Sequence, residues 1–203
     1  MESKEIYDCI KAKYPDLETV ICFLHKPCIG NPCSKVSAKK VLDFDCVECR
    51  FHVGVQPSPS VDAVTYNEEN SIFYFVEIKG WEKFYTYQLK PVDEEDWEAK
   101  IEAQVKDYDL EGKLDSSLSL CQDITANKNC FENAELIYVL VTDIEVEMNP
   151  LQSIAYNLTM LSETSSKWKD LCNKYLFKRL DNISDIKKLY IYCKDFDLRI
   201  GKK

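Results

Sequence analysis

Apolar positions along the chain change their period several times, and each change marks an element. Ile6, Cys9, Ile10 and Tyr14 recur at helical spacing and Pro15 ends the run, so a first amphipathic helix is expected over 3–14. Thr19 to Leu24 reads as a short strand, followed by turn chemistry in Lys26-Pro-Cys-Ile-Gly-Asn-Pro-Cys-Ser. A further extended stretch is expected from about Lys40 to Val55, before the breaker Gln56-Pro-Ser-Pro-Ser.

The middle of the chain is the most legible. Val61-Asp-Ala-Val-Thr-Tyr and Ile72-Phe-Tyr-Phe-Val-Glu-Ile-Lys are β-rich runs flanking the turn-like Asn67-Glu-Glu-Asn-Ser, which predicts a hairpin. Trp97, Ile101, Gln104, Val105, Tyr108 and Leu110 then recur at intervals of three and four, predicting a helix over about 94–110. Glu135 to Thr142 is a nearly continuous apolar run, as in a strand covered on both faces. Pro150, Leu151, Ile154, Leu158 and Leu161 suggest another helix, a further one is expected at about 166–179, and Ile186 to Cys193 reads as a last strand. The order predicts an α/β fold with a mixed central sheet flanked by helices.

At 203 residues, with 45 % hydrophobic and 30 % charged positions, the chain can bury a real core. A single domain over 1–203 is expected, with a Cys-rich insertion at about 22–50 and a basic helix-strand extension at about 150–203. No run approaches the roughly 18 apolar residues that cross a bilayer, and the start Met-Glu-Ser-Lys-Glu is unlike a signal peptide. A cytoplasmic chain with no membrane partner is the expectation. The 5 glycines form neither a GxGxxG nor a phosphate-loop pattern, and His25 and His52 are the only histidines, which argues against catalysis built on several of them.

The formal net charge of −9 speaks against non-specific attraction to nucleic acid. It hides an asymmetry, because 166–203 carries 11 Lys and Arg against 5 Asp and Glu. That segment could touch phosphates or could be a solvated helix face.

The candidate chemistry lies on the hairpin. Alternation along a strand sends Glu77 and Lys79 to one face and Val76 and Ile78 to the other, and a partner strand can bring Asp62 beside Glu77. Two carboxylates and a strand carbonyl make a hard oxygen site for Mg²⁺ or Mn²⁺, and the ammonium can orient an attacking water and offset developing phosphate charge. The plainer alternative is an exposed cross-strand charge pattern, with Gln104 and Tyr108 as ordinary helix residues.

Val61-Asp62, then Glu77-Ile78-Lys79, then Gln104-Val-Lys-Asp-Tyr108 together resemble the PD-(D/E)xK nuclease superfamily, with the Gln-x-x-x-Tyr element of its RecB-like members. The likeness runs over about 1–142 in element order. It implies a restriction-endonuclease-like αβββαβ core and metal binding by Asp62, Glu77 and the Ile78 carbonyl. It also implies Lys79 positioning the nucleophile, Gln104 and Tyr108 supporting it, and a helix-one acid that could be Glu5. The activity implied is Mg²⁺-dependent hydrolysis of DNA or RNA phosphodiesters. Because such folds also persist without catalysis, an inactive, acidic interaction or regulatory protein stands as the alternative, with a protein partner.

The 10 cysteines, without an export signal, suggest buried thiols or a metal rather than disulfides. Cys28, Cys33, Cys46 and Cys49 could hold a structural Zn²⁺, which would make a zinc-stabilised binding module a third possibility. Aromatic residues crowd the hairpin and the stretch after it, Trp81 to Tyr87, where base stacking competes with core packing.

Overall fold

The computed structural model describes residues 1–24, 36–54, 56–145, 167–183 and 186–201. Its frame is a six-stranded mixed sheet in which spatial order follows chain order. The strands are β1 (Glu18–Val20), β2 (Lys40–Asp43), β3 (Ala63–Asn67), β4 (Ile72–Lys79), β5 (Glu135–Thr142) and β6 (Lys187–Tyr192). β1 to β4 pair antiparallel, whereas β5 runs parallel to β4 and β6 parallel to β5. The α/β architecture expected from the sequence is therefore present, with helices on both faces of the sheet.

Six helices are used below: α1 (Ser3–Lys13), α2 (Phe44–Phe51), α3 (Trp97–Lys106), α4 (Leu110–Thr125), α5 (Lys167–Asp181) and α6 (Phe196–Ile200). Strand alternation divides the core. Phe73, Phe75, Tyr138 and Leu140 pack with Ile6 and Ile10 of α1, Leu114 of α4 and Leu176 of α5. Tyr74, Val76, Ile78, Val139 and Val141 face the other way, against Phe196 and Ile200 of α6 and Ile21 of a short helical turn, Ile21–Leu24.

Several expectations meet a different local outcome. The stretch from Lys40 is extended only to Asp43, whose side chain accepts the Cys46 N–H at 2.9 Å and starts α2. Phe44, Val47 and Phe51 share the inward side of that helix, so its period is helical. The Cys-rich insertion expected at about 22–50 is correspondingly narrower, since Val41, Leu42, Phe44 and Val47 are fully buried in the domain core. The strand expected over Thr19 to Leu24 stops at Val20.

The single helix expected over 94–110 is interrupted. A 3-10 turn at Glu94–Asp96 leads into α3, which ends at Lys106, and α4 begins anew with Asp109 accepting the Gly112 N–H at 3.1 Å. α4 is a separate helix beyond the one expected, and its Leu110, Leu114, Ser117, Cys121 and Ile124 form one buried stripe. The helix expected around Leu151 to Leu161 lies outside the described residues. The basic C-terminal segment is no appendage, because β6 closes the sheet and α5 buries Trp168, Cys172, Leu176 and Leu180.

Candidate functional site

The register carries the two acids together. Ala63 pairs with Val76, so Asp62, one residue before β3, lies opposite Glu77 on β4. The strand-end position of Asp62 is fixed from three sides. Its carbonyl accepts the Phe44 N–H at 3.0 Å, its Oδ2 accepts the Ile78 N–H at 2.5 Å, and the preceding Val61 N–H donates to Ser117 Oγ of α4 at 3.0 Å. Ile78 thus meets Asp62 through its amide, while its side chain enters the opposite layer.

Both carboxylates are withdrawn from water, Glu77 at 0 % exposure and Asp62 at 6 %. Two ammonium groups compensate them. Lys79 Nζ hydrogen-bonds Glu77 Oε1 and lies 4.7 Å from the centre of the Tyr108 ring. Lys113 Nζ, from α4, is 2.8 Å from the same Glu77 oxygen and 3.8 Å from Asp62 Oδ1. The lysine side chains are 15 % and 23 % exposed, so they form the part of the site nearest solvent. Asp45 on α2, held by the Ser60 hydroxyl at 2.5 Å, adds a negative charge that Lys113 also feels.

Burial is the main force on the Asp62 carboxyl, pushing its pKa up to about 7, and the Glu77 charge acts in the same direction. Lys113, Lys79 and the Ile78 N–H oppose the rise. At Lys113 burial works against the charge, yet Glu77 and Asp62 outweigh it and raise the lysine pKa. The Tyr108 phenol is raised, chiefly by burial, and the nearby Gln104 side chain opposes the rise. Gln104 sits on α3, whereas Tyr108 occupies the turn that follows it. The one-turn spacing expected of the pair within a single helix is therefore absent, because the helix ends at Lys106, between the two residues.

Glu77 Oε2 is buried and has no hydrogen-bond partner among the described residues. The same holds for the hydroxyl of Tyr138, which lies close enough to Glu77 and Asp62 to feel both charges. A buried carboxylate oxygen left in this state costs free energy unless something satisfies it. An oxygen-seeking divalent cation fits this donor chemistry, with Glu77 Oε2 and Asp62 Oδ1 as side-chain oxygens. Among the described residues no group of three or more His, Cys, Asp or Glu side chains gathers to hold a metal, so any such ion would depend on two carboxylates and the backbone.

Glu5 does not join them. Its Oε2 accepts the Glu2 N–H at 2.9 Å and caps α1. The start of that helix is tied to the far end of the sheet, where Ser3 Oγ donates to the Glu135 carbonyl at 3.4 Å. Glu135 pairs with Ile72, about 16 Å of strand away from Glu77. Cys28 and Cys33 lie outside the described residues. Cys46 and Cys49 are exposed on α2.

Three lysines of the basic C-terminal helix face acids of this chain. Lys167 faces Glu94 at 3.8 Å, Lys169 faces Glu82 at 3.9 Å, and Lys174 bonds Glu98 at 2.8 Å. Glu82, Glu94 and Glu98 are thus the counterparts of three α5 lysines. The aromatic stretch is likewise mostly core, with Trp81 fully buried against Phe84 and Tyr85 stacked on Trp168 at 4.5 Å; Tyr87, 71 % exposed, is the exception within it. A separate cleft of about 780 Å³ opens beside α1 and the turn end of the hairpin, where Lys11 is paired with Glu18 and Lys39 with the Tyr66 carbonyl; it excludes Asp62 and Glu77.

Among the described residues, no helix is long and apolar enough to cross a membrane. Comparison of the chain with family models, with curated proteins and with solved structures finds no match.

Proposed function

We propose that the chain is a metal-dependent nuclease that hydrolyses phosphodiester bonds of DNA or RNA, in the manner implied by its resemblance to the PD-(D/E)xK superfamily. The observation that carries the reading is the convergence of Asp62 and Glu77 from paired chain segments, with Glu77 Oε2 buried and unpartnered and Lys79 alongside. Asp62, Glu77 and the Ile78 carbonyl would hold Mg²⁺ or Mn²⁺. Bound there, the ion would supply Lewis-acid polarisation of a phosphoryl oxygen and acidify water.

The remaining roles belong to side chains. Lys79, nearer solvent than the acid it touches, orients the attacking water and offsets charge that develops on the phosphate. Tyr108 bounds one side of that ammonium with its ring face, and the Gln104 side chain lies near the phenol. Antiparallel β2, β3 and β4 followed by parallel β5 support the αβββαβ order that the resemblance implies, from which the chain departs by the α2 helix between β2 and β3 and by the extra strand β1. A reducing, cytoplasmic setting agrees with the free cysteines among the described residues. A structural Zn²⁺ on Cys28, Cys33, Cys46 and Cys49 is a separate proposal, tested by elemental analysis of protein purified without chelator.

Calorimetry with Mn²⁺ and cleavage assays on DNA and RNA test the main reading. Asp62→Ala and Glu77→Ala are expected to remove both metal uptake and cleavage, and Lys79→Ala to abolish cleavage while largely sparing metal affinity. No Mn²⁺ uptake by folded wild-type protein would overturn it. A second reading, an inactive and acidic interaction or regulatory protein on the same scaffold, is favoured by the double neutralisation of Glu77 by Lys79 and Lys113. It predicts no metal uptake, no cleavage, and capture of a basic protein partner by a chain of net charge −9.

A further inference from the structure

Lys113 belongs to none of the motif positions on the hairpin, yet it makes the contact that joins the two acids. It comes from α4, whose placement is fixed one turn later by the buried bond between Ser117 Oγ and the Val61 N–H. That anchor aims position 113 at the space between Glu77 and Asp62, because residues four apart lie on one face of a helix. The result is a single ammonium 2.8 Å from one carboxylate and 3.8 Å from the other.

We propose that the Lys113 ammonium is a resident counter-ion, held between Asp62 and Glu77 until a divalent cation displaces it. This rests on the metal-site reading above and adds a regulation to it. With no metal bound, the lysine keeps two adjacent buried carboxylates from facing each other uncompensated, which would otherwise carry a large desolvation and repulsion cost. A divalent ion brought onto Glu77 Oε2 and Asp62 Oδ1 would meet the ammonium at close range, because Lys113 lies against Asp62 Oδ1 and the other Glu77 oxygen, and like charges a few ångströms apart in a buried setting repel strongly.

Of the two lysines, Lys113 is the one able to leave. Lys79 is retained by Glu77 Oε1 and by the Tyr108 ring, whereas Lys113 reaches from Glu77 Oε1 towards Asp62 Oδ1, one of the two oxygens an ion would take, and keeps more of its side chain in solvent. Its long stem lets the charge swing outward without moving α4. Metal binding is then an exchange of one cation for another. Affinity is set below what two buried carboxylates would give alone, so that the site responds to the free divalent concentration.

Two measurements test the exchange. Lys113→Met keeps the apolar stem and removes the charge. It should bind Mn²⁺ at least about tenfold more tightly by calorimetry. Its metal-free melting temperature should fall below that of wild type and recover more on Mn²⁺ addition than wild type gains. In wild-type protein, which does not depend on the variant folding, Mn²⁺ should raise the rate of reductive methylation of Lys113, read by mass spectrometry against Lys174 as an internal standard.

If wild type binds Mn²⁺ through Glu77 but Lys113→Met binds it equally or more weakly, or if Lys113 methylation does not change on binding, the exchange is wrong while the metal site stands. If neither protein takes up Mn²⁺, the metal site itself falls and the exchange falls with it.

Discussion

Ser117 Oγ accepts the Val61 N–H at 3.0 Å in a fully buried setting, so α4 and the residue before Asp62 are joined by one hydrogen bond across 56 positions of chain. Ser117→Ala leaves that amide without an acceptor. The variant is expected to lose about 1–3 kcal/mol of stability in urea unfolding, with Thr retaining more than Ala because it keeps a hydroxyl. An unchanged midpoint would show that the bond holds nothing in place.

Asp62 imposes a pH dependence of definite sign. Its folded pKa of about 7 lies above the ordinary value of about 4, so between those limits the folded protein holds a proton that the unfolded chain releases. Its contribution to stability is therefore greatest below about pH 4 and declines as pH rises towards 7, by something of the order of a few kcal/mol. Asp62→Asn should flatten the decline in melts taken across that window. A variant that keeps the wild-type slope would assign the proton to another group.

Removal of residues 167–203 is expected to abolish cooperative unfolding rather than trim a tail. The cut strips Trp168, Leu176, Tyr190 and Phe196 from the core and bares one edge of β5. Circular dichroism melts and gel filtration read the outcome. A truncated chain that melts in a single sharp transition would show that the rest of the domain folds without this segment.

Glu5 separates capping from chemistry. Glu5→Ala removes the acceptor for the Glu2 N–H, a loss of about 1 kcal/mol or less, and should leave Mn²⁺ affinity as in wild type. A Mn²⁺ affinity that falls as far as in Glu77→Ala would put the residue back among the ligands.

The parts of this arrangement that could be read in advance are those set by strand alternation. The Ile72–Lys79 and Glu135–Thr142 runs are apolar enough to announce buried strands, and the hairpin between 61 and 79 follows from its turn residues, so Asp62 falls opposite Glu77. Lys113 was invisible by the same logic. A lysine on a helix ordinarily marks the solvated face, and nothing local says that this one points at two buried acids. α4 and α2 did leave signals, in the Asp109 and Asp43 caps and the apolar stripes that follow them, but short windows of cysteine, serine and aspartate mask the helical period. The lysine-rich segment illustrates the reverse problem: its composition suggests phosphate contact, yet its partners Glu82, Glu94 and Glu98 are distant in sequence.

The agreement between spatial and chain order in the sheet bears on how the molecule is made. Every strand lies beside the strand before it in the chain, so assembly of the sheet requires no strand to be threaded between two that are already paired. Glu77 is synthesised while its strand is still a frontier. The lysine from α4 that meets both acids lies 36 residues beyond Glu77 in the chain, so a nascent chain that ends before α4 holds the two carboxylates without it.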